Sequence, residues 1–340
     1  MTKFIDELDK KEISGKKILL RVDFNVPVSD GKILEKYRIK TQRKTIDSLI
    51  NSGAIVVLVS HITAVNSFEF IASRIKEILG RDFIFIPDCT GVAVENSLKN
   101  AKSGDIFLLE NIRKHNGEKN NDPKFAEELA KPFDIYINNA FSVCHRNHAS
   151  IVSVTDFLPA YAGPLLVEEM AHLNKALKSP KERKTLIIGG NKIDTKLPVI
   201  KNFTDKAEYI LVGGAITENM LEKNSNIIFP KDYISGNDII SDIGPKTIDE
   251  FTDIINKSKI IIWNGPLGKT EEEKFSRGSE KISEAIVDSK AFSVVGGGDT
   301  VAFLEKTEMI NKFNYISAGG GAMLEFLAGN KLPGLAILGL

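Results

Sequence analysis

The chain has 340 residues, 42% of them hydrophobic and 26% charged, with 45 Lys and Arg balancing 45 Asp and Glu. That length favours two domains, and the composition is that of an ordinary globular protein. A balanced charge offers nothing to non-specific nucleic acid or an anionic membrane, so any phosphate site must come from local placement.

Residues 1–17 alternate acids, lysines and apolar residues without a continuous apolar stretch, which argues against a signal peptide, and no apolar run could span a bilayer. Cys89 and Cys144 lack any C-x-x-C spacing and read as reduced structural thiols. These features point to a cytoplasmic protein without nucleic-acid or membrane partners.

Short β-rich apolar runs follow at Ile18–Asn25, Ala54–His61, Phe83–Pro87, Asp105–Glu110 and Asp134–Asn138. Helix-like segments at Arg38–Asn51, Phe68–Leu79 and Pro123–Ala130 separate several of them. Few interior polar residues imply strands buried on both faces, and helical crossovers imply parallel pairing. Asp23 and Asn25 end the first strand, His61 the second, and Asn111 and Arg113 follow the fourth. With Arg38, His145, Arg146 and His148 they place cations and directional donors at or beyond strand ends, where open parallel sheets bind ligands. Arginine forks fit carboxylate and phosphate oxygens, so convergence would make an anion-binding basin. Each arginine taken alone reads as solvated surface. His145 and His148 stand three apart, but no carboxylate or cysteine close in sequence completes a tetrahedral metal set, so orienting a loop or contacting substrate fits them better.

Gly163–Leu177 reads as one helix, opened by Pro164 with acidic Glu168 and Glu169 and closed before Pro180, connecting two similar α/β domains. A second strand series runs through Lys184–Gly190, Glu208–Gly213, Asn226–Phe229, Lys259–Asn264, Phe292–Val295 and Asn314–Ser317. Lys331, Leu332, Pro333 and the apolar tail are too short for a third domain and must pack on one of these two.

Three glycine turns follow strands of this half: Gly189-Gly190-Asn191-Lys192 with Lys196 beyond it, Gly296-Gly297-Gly298-Asp299-Thr300 ahead of a helix near Val301, and Gly319–Gly321 opening Ala322–Leu327. Bare glycines let backbone N–H groups approach an anion, and a helix start adds partial positive charge. Asp299 would repel a phosphate unless a cation sat between them, so its turn suggests a metal-nucleotide. Lys192 and Lys196 could face one phosphate chain if the helix begins at Asp194; without their neighbours they read equally as surface lysines. Asn264–Thr270 ends in Gly-Lys-Thr, but Trp263 occupies the position where a P-loop needs glycine, so that motif fails. An arginine-rich basin in one domain and a glycine-rich, lysine-bearing site in the other make phosphoryl transfer the economical reaction.

The sequence resembles the phosphoglycerate kinases. The stretches that carry the resemblance are Arg21–Pro27, Tyr37-Arg38-Ile39, Ser60-His61, Leu108–Arg113, Asn138–Phe141, His145–Ser150, Gly189–Lys196, Trp263–Pro266, Gly296–Thr300, Ser317–Glu325 and Lys331–Gly334, in order from about Lys17 to Pro333. The resemblance implies two Rossmann-like α/β domains with parallel-rich sheets closing about a hinge: residues 1–162 for phosphoglycerate, with the tail 326–340 packed back on them, a connector helix at 163–178, and residues 179–325 for the nucleotide. It implies a monomer and reversible transfer of the acyl phosphate of 1,3-bisphosphoglycerate to magnesium ADP. By motif position Asp23, Asn25, Arg38, His61, Arg113 and Arg146 form the phosphoglycerate set, and Arg38 and Lys192 meet the transferring phosphoryl. Lys196 and Thr300 match phosphate positions, Asp299 the Mg²⁺ aspartate, and Asn264 and Glu271 phosphate and ribose contacts. Gly190 and Gly298 lie in the phosphate turns, Gly213 and Gly214 in the adenine-pocket turn.

Several positions depart from the family pattern. Ala64 stands where an arginine usually clasps the distal phosphate, a charge-assisted contact whose loss costs about 1.5–3 kcal/mol. Asn139 replaces an aspartate, Ser142 a glycine, and Lys269-Thr270 an apolar pair before Glu271; the segment between Gly214 and Pro230 is short. An active kinase is therefore the first expectation, and a relative that binds without turnover the alternative.

Overall fold

In the computed structural model, which describes residues 4–219, 224–236 and 239–340, strand β1 (Lys17–Arg21) buries Ile18 and Leu20 in one apolar cluster and Leu19 in a second. Alternate side chains point to opposite faces, so β1 is covered on both sides, which explains its continuous apolar run. After a small antiparallel hairpin of β2 (Val28–Ser29) and β3 (Lys32–Ile33) come β4 (Ile55–Val59), β5 (Ile84–Ile86), β6 (Ile106–Leu109), β7 (Ile135–Asn138) and β8 (Ala160–Ala162). Six strands form one sheet in the order β5-β6-β4-β1-β7-β8, every pair parallel. The chain places β4 beside β1, then β5 at the edge and β6 between β4 and β5, before it crosses to β7 on the other side, so the switch point lies between β1 and β7.

The second sheet is built from β9 (Lys184–Ile188), β10 (Tyr209–Val212) and β11 (Ile227–Ile228), then, beyond an antiparallel pair of β12 (Tyr233–Gly236) and β13 (Ile239–Ile243), from β14 (Ile260–Asn264), β15 (Phe292–Gly296) and β16 (Tyr315–Ser317). Its order is β11-β10-β9-β14-β15-β16, again all parallel. Counting only its own strands this is 3-2-1-4-5-6, the Rossmann order, with a switch point between β9 and β14. The expected pair of parallel α/β sheets is present. By contact density the chain separates into Met1–Glu168 with Lys331–Leu340 and Glu169–Asn330, a division that falls inside the helix Pro164–Lys178. In the first unit the tail is held where Gly334 N–H donates to the Cys144 carbonyl at 2.9 Å.

Local chemistry moves several element ends from their sequence-predicted places. β1 stops at Arg21 because Asn25 N–H turns back onto Asp23 Oδ1 at 3.0 Å, bending the chain out of the ladder. The helix expected over Phe68–Leu79 is broken at Ile71 into a 3-10 turn (Phe68–Phe70) and a helix (Ala72–Leu79). Glu110 enforces the turn, accepting Phe68 N–H at 2.9 Å and Ser67 Oγ–H at 2.5 Å. The helix expected near Val301 begins at Gly298, because Gly297 at φ 101° makes the bend that only glycine tolerates. Asp299 and Thr300 therefore lie in its first turn.

Candidate active site

Arg21 closes β1 as a fully buried cation, and its guanidinium is anchored on several sides. Nη1 donates to the Val22 carbonyl at 2.8 Å, Nε to Ser150 Oγ at 3.1 Å, and Nη2 lies 3.1 Å from His61 Nδ1. Ser150 passes the contact on, donating its Oγ–H and its N–H to the two oxygens of buried Glu118, each at 2.8 Å. His148 Nδ1 stands 3.6 Å from the same carboxylate. Burial alone would raise the pKa of Glu118; His148, the Arg21 charge and the Ser150 donors outweigh it and hold Glu118 below the usual range.

His61, at the end of β4, has its pKa lowered by burial first and then by the charges of Arg21, Arg113, His148 and Arg146, so the ring is neutral. Burial, with Arg21 and Arg146, likewise lowers the pKa of Arg113, whose Nη1 donates to Thr63 Oγ1 at 3.0 Å. Asn111 caps this turn and ties it to the 62–65 loop, accepting Arg113 N–H at 3.2 Å and donating to the Ile62 carbonyl at 2.8 Å. Arg38, at the start of the helix Tyr37–Asn51, donates to the Asn25 carbonyl at 2.9 Å and pairs with Glu35 at 3.2 Å and Asp23 at 3.6 Å. Asn25 Oδ1 accepts Thr63 N–H at 2.9 Å. Asp23 Oδ2 is buried with no hydrogen-bond partner among the described residues.

The structure thus gathers Asp23, Asn25 and Arg38 around the β1 end, and His61, Arg113 and Arg146 into one electropositive neighbourhood. Asp23 Oδ2 has the Arg38 charge at 3.6 Å but no hydrogen bond, so it keeps acceptor capacity for a donor such as a ligand hydroxyl. Sequence reasoning assigned no role to Arg21, Glu118, Ser150 or Glu35. An arginine as the last residue of an otherwise apolar strand was the signal for the first, and a glutamate three residues before Arg38 was the signal for Glu35; Glu118 and Ser150 lie too far apart in sequence for any pattern to join them.

In the second unit the turns after β9 and β14 interlock. Gly190 N–H donates to the Pro266 carbonyl at 2.7 Å and Gly189 N–H to the Asn264 carbonyl at 3.0 Å. A Cβ on Gly189 would lie 2.1 Å from the Pro266 oxygen, and Gly190, Gly214 and Gly265 all have positive φ. Gly213 packs under Leu267, and Gly214 against the Gly190 backbone. The glycines therefore let several strand ends close on one another at the switch point.

Lys192 is the exposed N-cap residue of the helix Ile193–Phe203, and Lys196 is buried one turn in, its ammonium donating to the Gly189 carbonyl. Burial lowers the pKa of Lys196 to about 8, with Lys192 adding to the effect and Asp299 opposing it, which places these three charges together. Asp299 is exposed in the first turn of Gly298–Lys306. Thr300 is buried, its Oγ1 accepting Gly265 N–H at 3.0 Å, so that hydroxyl braces the β14 turn. Asn264 is buried beside Met323, its Nδ2 3.7 Å from Sδ. Gly298 differs from the other turn glycines: a Cβ there would meet nothing within 4 Å. Glu271 is exposed beyond Gly268, which packs on the buried Asp242 carboxylate. In the shortened Gly214–Pro230 segment, residues 220–223 lie outside the described residues.

Among the described residues no group of three or more His, Cys, Asp or Glu could hold a metal ion, and no helix is long and apolar enough to cross a membrane. The sequence model of the phosphoglycerate kinase family matches residues 8–228 and 217–330. The phosphoglycerate kinase of Dictyoglomus turgidum is 38% identical over 390 aligned residues, taking in 99% of this chain and 98% of that protein. That of Thermosipho africanus is 37% identical over 383, with 96% and 95% covered. Among solved structures, phosphoglycerate kinase from Pyrococcus horikoshii aligns with a TM-score of 0.90 at 30% identity, covering 99% of this chain and 98% of that one. The enzyme from Coxiella burnetii aligns at 0.81 and 30%, covering 100% and 99%.

Proposed function

The chain belongs to the phosphoglycerate kinase family and is a phosphotransferase, and on that premise we propose that it moves the acyl phosphate of 1,3-bisphosphoglycerate to ADP, giving 3-phosphoglycerate and ATP. The observation that carries this reading is the full-length match, which takes in the strand ends of both sheets. We assign phosphoglycerate to the first unit and the nucleotide to the second, in a cytoplasmic monomer.

In the first unit, neutral His61 and the Arg113 and Arg146 guanidinium groups bind the substrate's anionic oxygens, and Asp23 takes its hydroxyl. In the second, the exposed first turn of Gly298–Lys306 offers backbone N–H groups to phosphate. A glycine at 298 with room for a side chain supports a ligand approaching there. Lys192 and Lys196 supply the cations.

A magnesium ion bound with nucleotide phosphates needs only one or two protein carboxylates, because it keeps its waters. A single exposed carboxylate, Asp299, beside Lys192 and Lys196 fits that requirement. When bound, the ion would neutralise phosphate charge.

The ADP oxygen that attacks phosphorus is already anionic and the departing carboxylate is a good leaving group, so the reaction needs no general base. One P–O bond forms to ADP as the P–O bond to the acyl oxygen breaks, and the carboxylate keeps the electron pair. The protein's work is to orient the two anions and stabilise charge on the moving phosphoryl, for which we assign Arg38 and Lys192. A coupled assay of ATP formation from 1,3-bisphosphoglycerate tests this: turnover far above a Lys192→Ala control is the expected result. The second reading, binding without turnover, is favoured by Ala64, and activity no higher than that control would establish it.

A further inference from the structure

We propose that Arg21 is a positioning residue for His61, holding the imidazole in the tautomer that carries its hydrogen on Nε2, so that the ring presents a neutral hydrogen-bond donor to the substrate anion. The donor role rests on reading the first-unit basin as a phosphoglycerate site; the tautomer rests on geometry alone.

Arg21 Nη2 lies 3.1 Å from His61 Nδ1, with both side chains buried. A guanidinium has five N–H donors and no acceptor, so the nitrogen that faces it must offer a lone pair. A neutral imidazole has one N–H, which Arg21 therefore confines to Nε2. A second proton on Nδ1 would set N–H against N–H. The charges acting on the ring oppose that proton too: Arg21 from β1, Arg113 from the turn after β6, and Arg146 and His148 from the loop after β7. Glu118, the nearby carboxylate of the network, is occupied by Ser150 and His148.

Arg21 cannot turn away from this task. Its Nε is held by Ser150 Oγ at 3.1 Å, and its Nη1 by the Val22 and Val59 carbonyls at 2.8 and 3.3 Å and by Ser60 Oγ at 3.4 Å, so the fork is fixed with Nη2 facing the ring. Ser60 is itself fixed, donating to the Val22 carbonyl at 2.8 Å and accepting Phe24 N–H at 3.0 Å. Glu118, one hydroxyl away, supplies the countercharge that makes a buried guanidinium tolerable. A neutral donor has a functional advantage in this basin. It adds a directed N–H without adding charge to an already electropositive wall, and it does not titrate where the enzyme works.

The test is long-range proton–nitrogen correlation spectroscopy of the full chain labelled with ¹⁵N-histidine, from pH 5 to 8, with His61 identified by its loss in His61→Gln. The expected wild-type signal is a neutral Nε2–H ring that does not change over this range. In Arg21→Met the ring should mix tautomers or titrate within it, and calorimetry should show affinity for 3-phosphoglycerate reduced roughly tenfold and newly pH-dependent, with Arg21→Lys recovering part of both. A wild-type His61 that carries hydrogen on Nδ1, or titrates with an ordinary midpoint, overturns the proposal without any variant having to fold. An Arg21→Met protein with unchanged His61 nitrogens overturns it as well. Wild-type protein with the expected tautomer but no 3-phosphoglycerate binding overturns the donor role together with the substrate reading, and is told apart from a wrong tautomer by the spectrum.

Discussion

The side-chain carbonyl of Asn139 accepts the backbone N–H of Leu165 at 3.0 Å, capping the helix Pro164–Lys178 from a residue 26 positions earlier. Its amide meanwhile donates to Gln42 Oε1 at 2.9 Å and Thr45 Oγ1 at 3.1 Å on the helix Tyr37–Asn51, whose first turn carries Arg38. One buried side chain thus joins the start of the helix Pro164–Lys178 to the helix that carries Arg38, the arginine we assign to the substrate. Asn139→Ala leaves the Leu165 donor and the Gln42 acceptor unpaired, and should cost about 1–3 kcal/mol. The far-UV urea transition should move to a lower midpoint, and 3-phosphoglycerate affinity should fall with it. Asn139→Asp, the family's usual residue, should stay within about 1 kcal/mol, because Gln42 can turn its amide and Thr45 can donate.

Lys196 illustrates the opposite balance, a buried cation held by a carbonyl and a nearby carboxylate. Its folded pKa of about 8 is below the ordinary lysine value, so the unfolded chain binds more protons between about pH 8 and 10.5 and this group's contribution to stability rises through that window. A bound phosphate favours the charged form. ADP binding at pH 8 should therefore take up protons, seen as a binding enthalpy that changes with the ionisation enthalpy of the buffer, and affinity should decline above pH 8. In Lys196→Arg the proton uptake and that decline should both disappear.

Much of the sheet architecture is legible in the sequence because buried parallel strands leave unbroken apolar runs. Ile18, Leu19 and Leu20 read as a doubly covered strand from their run alone, and Pro123–Ala130 is legible to the residue because Pro123 opens it. The helices Gly91–Leu98, Pro245–Lys257 and Arg277–Asp288 were not anticipated, and neither was β8 at Ala160–Ala162, whose three residues carry no recognisable period. At the site, glycine turns and arginines announce themselves by type and position after strands. Ser150 and Glu118 do not, since a buried network is closed by residues 32 positions apart and its logic lies in unmet donors and acceptors. Thr300 fits a phosphate position by motif, yet its hydroxyl faces the Gly265 amide, a distinction that no one-dimensional pattern contains.

Ala64 leaves the 62–65 loop without its family's usual arginine, next to Thr63, which already holds Arg113 at 3.0 Å. Ala64→Arg would add a second guanidinium beside the first. Calorimetric affinity for 3-phosphoglycerate should increase by roughly tenfold, the equivalent of about 1.5 kcal/mol, and become more sensitive to salt. Equal affinity before and after the change would mean that the existing cations already saturate the distal phosphate.

Gly189→Ala tests the switch point of the second sheet. The added Cβ would lie 2.1 Å from the Pro266 carbonyl oxygen and 2.8 Å from that of Gly265, both backbone atoms that cannot rotate away. Relief requires the β9 and β14 turns to separate, which breaks the Gly190–Pro266 bond and withdraws the carbonyl that holds Lys196. ADP affinity should fall by more than tenfold, with overpacking costing about 1–3 kcal/mol of stability. Binding of 3-phosphoglycerate, whose assigned residues lie on the other sheet, should be unchanged in the same calorimetric series. Loss of both affinities together would instead point to global unfolding, which the single tryptophan, Trp263, would report because its indole N–H is bonded to the Gly265 carbonyl at 2.8 Å within the same turn.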